Sequence, residues 1–154
     1  MTEPLPSDVG SIDPVVAVLY DVISGPAGQR RNWDRLRALF YPGARLLRTV
    51  VSPEGKVEMA AMDVEGFIAV ADPFFQAQGF FEHEVARRID QFGHIAQVFS
   101  TYEAAADPDG REPLGRGINS IQLWSDGQRW WVMNLLWDDE RPGNPIPPGL
   151  LPKL

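Results

Sequence analysis

The chain has 154 residues, about one domain, and carries 14 Lys and Arg against 21 Asp and Glu, a formal net charge of −7. An acidic chain without a basic run lacks the clustered cations that phosphate contacts need, so no nucleic-acid partner is expected. The absence of cysteine excludes disulfides, thiolate nucleophiles and Cys-ligated metals, while 44% hydrophobic residues supply a core.

Residues 1–10 hold two prolines and a glycine without apolar period and read as a loose arm. A first helix follows, with Ser11 or Asp13 as cap and Val15, Val16, Leu19, Tyr20 and Ile23 at helical spacing; Gly25–Pro26 ends it. A second runs from the cap Asn32 to Tyr41, on an apolar face of Trp33, Leu36, Leu39 and Phe40. Ala44–Ser52 reads as a strand and Val57–Met62 as its short return. Asp63 caps a third helix, disturbed at Pro73. Four strands follow, at 80–91, 94–105, 114–125 and 128–138, the last two joined at Asp126–Gly127, a strong hairpin signal. Residues 139–154 form a proline-rich tail; Ile146, Leu150 and Leu151 suit it to lie on the body or a partner, and disorder is the alternative. No apolar run approaches ~18 residues, and no basic-then-apolar leader opens the chain. No membrane span is expected, and a cytoplasmic location is.

Two stretches carry a resemblance: Trp33-Asp34-Arg35-Leu36-Arg37-Ala38-Leu39-Phe40-Tyr41-Pro42-Gly43-Ala44, where helix enters strand, and Ser125-Asp126-Gly127-Gln128-Arg129-Trp130-Trp131-Val132-Met133-Asn134, the last hairpin. With the element order, they make residues 11–138 resemble the nuclear transport factor 2-like superfamily, which includes ketosteroid isomerase, scytalone dehydratase and the SnoaL-like cyclases. The resemblance implies an α+β fold: a cone-shaped half-barrel, three N-terminal helices packed on a strongly bent, mainly antiparallel sheet, commonly as a homodimer. It is nearly silent on reaction. The isomerase base would fall at Arg48, which stays protonated, and the isomerase acid near 119–121, where no carboxyl occurs. Isomerase chemistry of that type is therefore not supported.

Register selects the pocket candidates. With Asp126–Gly127 as a two-residue turn, Leu123 faces Trp130, Ile121 faces Val132 and Asn119 faces Asn134, on one face of the sheet. The two amides then serve each other or a ligand. Trp131, Met133, Leu135 and Trp137 fall on the opposite face, which a homodimer would cover. With Phe92–Gly93 as a turn, His83 lies beside Tyr102, while Glu82, Glu84 and Glu103 fall on a solvated face. The expected ligand-binding residues are Asn119, Asn134, Arg48, Tyr102 and Trp130, with Arg48 either inward, favouring an anionic head, or outward in a surface ion pair. Candidate proton-transfer groups are His83, Tyr20 and Asp21. No metal site is expected, because Glu82, His83 and Glu84 on one strand cannot converge, and no cofactor is implied. Three functions stay open: a small-molecule binding protein for a hydrophobic ligand with a polar or anionic head; a cofactor-independent isomerase, cyclase or dehydratase; and a protein-interaction module.

Overall fold

A computed structural model describes residues 3–154. Four α-helical segments, α1 (Pro6–Val9), α2 (Ile12–Ile23), α3 (Trp33–Arg37) and α4 (Val64–Ala77), and a 3-10 turn at Pro148–Leu150 accompany six strands among the described residues. These are β1 (Phe40–Val51), β2 (Val57–Met62), β3 (Phe81–Phe92), β4 (Ile95–Ala105), β5 (Pro113–Ser125) and β6 (Trp130–Asp139). The strands form one open sheet in the order β2-β1-β6-β5-β4-β3. Only β1 beside β6 is parallel; the other pairings are antiparallel. The architecture is α+β, as expected.

Local chemistry explains the element ends. Asn32 Oδ1 accepts from Arg35 N at 3.1 Å and Asp63 Oδ1 from Gly66 N at 2.7 Å, so these two predicted caps operate, whereas Ser11, at the N-cap of α2, makes no side-chain capping bond and Asp13 lies inside the helix. The second helix stops early, at Arg37, because the Leu39 carbonyl is taken by Val132 N (2.9 Å) and the chain continues as a strand beside β6. Helix α4 runs through Pro73. Ala69, whose carbonyl loses its partner, and Pro73 are both exposed, so water can satisfy that carbonyl. The segment read as a loose arm contains α1, and its buried Asp8 accepts two bonds from Arg35 (2.9 and 3.0 Å). The tail folds back: Ile146 is buried, and the Thr101 hydroxyl donates to the Leu150 carbonyl at 2.6 Å.

The helices cover one face of the sheet, called inner here. Val15, Val16 and Leu19 of α2, with Leu36 and Leu39, pack on Val98, Ile121, Leu123, Val132 and Leu46. Burial of these apolar groups is the main stabilising term. Arg31, only 3% exposed, closes the α2–α3 connection by donating to the carbonyls of Ile23, Gly25, Pro26 and Gln29 at 2.8–3.2 Å. The Ser24 hydroxyl reaches the Tyr20 carbonyl (2.8 Å) and accepts from Glu82 N (3.0 Å), fastening the end of α2 to the start of β3.

Both hairpins depart from the expected register. The last is a four-residue loop, 126–129, closed by the Asp126 carboxylate, which accepts from Gln128 N, Arg129 N and Trp131 Nε1 at 2.8–2.9 Å. Pairing starts at Ser125–Trp130 and Leu123–Val132, then shifts at Met133, an extra residue that faces no partner. Beyond it Asn134 pairs with Gln122, Leu135 with Ile121, and Asn119 with Trp137. The other turn is Gly93–His94, and Val85 is a second extra residue, after which His83 pairs with Glu103 and Glu84 with Tyr102. An extra residue sends every later side chain to the opposite face. Leu135 and Trp137 thus join the core side, and of the four residues assigned to a free outer face only Trp131 and Met133 are left for it.

Candidate functional site

The inner face divides across its strands. Toward one end the rows are apolar: Ala96, Leu123 and Val132, then Val98, Ile121, Leu135 and Leu46. Toward the other they turn polar: Arg87, Ser100, Asn119, Trp137 and Arg48, then Glu84, Tyr102, Gly117 and Asp139, then Glu82. One extra residue lies on each side of this boundary, Met133 between the two apolar rows and Val85 between the first two polar ones, and they bring Glu82, Glu84 and Asp139 inward.

Helix α2 places Tyr20 over the polar rows. Its hydroxyl stands 2.6 Å from Ser100 Oγ and accepts from Asn119 Nδ2 at 3.1 Å. The Ser100 hydroxyl donates to Glu84 Oε2. A hydroxyl has one hydrogen, so Ser100 must accept from Tyr20. The direction of the chain is fixed: Asn119 to Tyr20 to Ser100 to Glu84. Glu84 also takes Arg87 Nε at 2.9 Å, and Arg87 continues to Asp13. Beside this chain the Tyr102 hydroxyl donates to Asp139 Oδ1. Arg48 Nη2 lies 3.8 Å from Asp139 Oδ2, with the two side chains 53% and 45% exposed. This is the open rim.

Burial dominates the electrostatics. It pushes the Glu82 carboxyl up to about 8, with the charge of Asp139 adding and the Asn119 amide opposing. Burial likewise raises both phenols: at Tyr20 the Ser100 and Asn119 bonds work the other way, while at Tyr102 the bond to Asp139 raises it further. Among the described residues no group of three or more His, Asp or Glu side chains is arranged to hold a metal ion.

Four predicted residues converge here: Tyr20, Asn119, Tyr102 and Arg48. Four do not. Asn134 lies on the outer face opposite Gln122, so the expected amide pair does not form. Trp130 shares the inner face but sits at the far, apolar end, about 20 Å along the strand from the row of Asn119 at ~3.3 Å per residue. His83 points outward, 67% exposed and 3.9 Å from Glu103. Asp21 is an exposed partner of Arg35. Glu82, Glu84, Ser100 and Asp139 were not anticipated. The signal available was the double pattern of β6, where Trp130 and Val132 alternate in one phase and Leu135 and Trp137 in the other, as a strand with an inserted residue must.

Neither of two surface hollows, of about 320 and 490 Å3, reaches the Asn119–Tyr20–Ser100 chain: one lies between β3 and the tail and touches the polar rows at Arg87, the other around Phe92, Ile95, Trp124 and Met133. Chemistry rather than volume singles out the polar rows. No helix among the described residues is long and apolar enough to cross a membrane.

No family model and no curated protein matches the chain. Solved structures do. An NTF2-like protein of unknown function from Shewanella baltica aligns over 82% of this chain and 89% of its own, with 16% identity and a TM-score of 0.56. A protein of unknown function with a cystatin-like fold from Nostoc punctiforme aligns over 82% and 86%, at 12% identity and 0.62. A putative calcium/calmodulin-dependent protein kinase II association domain from Xanthomonas campestris aligns over 84% and 89%, at 17% and 0.58. The fold is therefore NTF2-like, as the sequence resemblance implied. At these identities the likeness concerns the fold alone.

Proposed function

We propose that the protein binds a small hydrophobic molecule by a polar head at the polar rows of the inner face. The observation that carries this is the Asn119–Tyr20–Ser100–Glu84 chain with Tyr102–Asp139 beside it, set where the apolar core gives way to an open rim. Buried polar groups cost about 1–3 kcal/mol each when left without partners, so a core that only needed packing gains little from them. An anionic head is disfavoured, because Glu82, Glu84 and Asp139 face it and Arg87 is already bound to Glu84. Asn119→Leu tests the reading. The variant should fold with a loss of about 1–3 kcal/mol, the cost of unpairing its buried partners Tyr20 and Glu82. Thermal stabilisation by any small molecule that shifts the native protein should disappear. Equal shifts in both proteins would refute the assignment.

One observation favours a second reading, acid–base catalysis without a cofactor: Glu82, held near 8, has the pKa of a general acid or base working near neutrality. On the outer face, Tyr41 packs edge-on against Trp124 and Trp131, and Met59 and Ile95 are exposed. This supports a homodimer through that face. Light scattering should then give twice the chain mass, falling to one with Trp131→Glu; a native monomer would refute it.

A further inference from the structure

Asn119 is only 9% exposed, and its Oδ1 accepts no hydrogen bond among the described residues. No sealed side-chain polar atom among them lacks a partner, so Oδ1 looks into an opening. The hydrogens nearby are committed: the Asn119 amide donates to Tyr20 and bonds the Glu82 carboxyl, those of Tyr20 and Ser100 run on to Glu84, and that of Tyr102 goes to Asp139. What is left is Asn119 Oδ1, the second oxygen of the Glu82 carboxyl and Asp139 Oδ2. Three acceptors match the three hydrogens of an ammonium group. Aromatic rings stand around them: Tyr20, Tyr102, and Trp137 with Phe67 edge-on at 6.3 Å. Such faces attract a cation.

We propose that the head group is a protonated primary amine on a hydrophobic body, held by Asn119 Oδ1 and the carboxylates of Glu82 and Asp139. This rests on the reading that the polar rows form a ligand site. The charged and titratable groups facing it are Glu82, Glu84 and Arg87 from β3, Tyr102 from β4, Asp139 from β6, Arg48 from β1 and Tyr20 from α2. Glu84 and Arg87 neutralise each other. Arg48, beyond hydrogen-bond range of Asp139 and half exposed, can turn to water when the ligand's cation arrives. Binding then displaces the proton of Glu82, so affinity rises with pH until that carboxyl is ionised.

The test uses the full chain with 2-phenylethylamine, 2-phenylethanol and 3-phenylpropionate, followed by thermal shift and calorimetry on both sides of Glu82's titration. The amine should raise the melting temperature with concentration, more strongly at the higher pH, and release a proton seen as a buffer-dependent heat. The alcohol and the acid should do far less. Glu82→Gln should abolish most of the amine's effect, and Arg48→Ala should strengthen it several-fold. If the alcohol or the acid binds as well as the amine, the head-group assignment falls and the ligand site stands. If no probe shifts the native protein, both fall.

Discussion

Replacing Glu82 by glutamine should leave stability nearly unchanged below about pH 4.5 and raise it progressively from there to about pH 8. A free glutamate carboxyl loses its proton near 4.5, whereas in the folded chain burial holds that proton up to about 8. Between these values the folded state binds one more proton than the unfolded state, so stability falls as pH rises through the window. At about 1.4 kcal/mol per pH unit the limit is near 5 kcal/mol. Glu82 is only part-buried, so solvent screening reduces this to roughly 2–3 kcal/mol. Glutamine has the shape of the protonated acid and nothing to ionise. Urea unfolding of both proteins at matched pH, from below the free value to above the folded one, isolates the effect, since every other group cancels in the difference. A constant gap would mean that Glu82 ionises as in water.

That carboxyl was invisible in the sequence for a definable reason. Element order, the caps Asn32 and Asp63 and the turn at Asp126–Gly127 follow from local signals, because a cap or a glycine acts within a few residues. The faces of the strands do not. A hairpin loop two residues longer than expected, as at 126–129, or a turn moved on by one residue, as at Gly93–His94, moves pairs two places along the strand and leaves each side chain on its face, so Asn119 and Tyr102 were placed correctly despite the wrong turns. Val85 and Met133 shift the chain by one residue, which exchanges faces. They moved His83 and Asn134 out and Glu82, Glu84 and Asp139 in. Both are apolar and fit either phase of an alternating pattern, so neither announces itself. Tyr20 was legible because a helical stripe has no such ambiguity over one or two turns.

Gly117→Ala should be among the most damaging single-methyl changes in the protein. Gly117 lies on the inner face between Tyr102 and Asp139, and a Cβ there would collide with the Tyr102 phenol and with the backbone carbonyl of Asp138. The missing side chain is what lets the Tyr102 ring lie across β5 to reach Asp139 on β6. Overpacking costs about 1–3 kcal/mol, and losing a hydrogen bond to a charged group adds roughly 1.5–3, so the expected loss is about 3–5 kcal/mol. The two contacts can be separated. Tyr102→Phe removes the hydroxyl and the bond while leaving Gly117 intact, and should cost about 1.5–3 kcal/mol alone. In the Tyr102→Phe background, Gly117→Ala should cost less than in the native chain, because the hydroxyl it would meet is gone, yet the carbonyl of Asp138 keeps the remaining cost above zero. Additive losses in the urea-unfolding cycle would show that Tyr102 does not occupy the space above Gly117, and the Tyr102–Asp139 arm of the site would go with it.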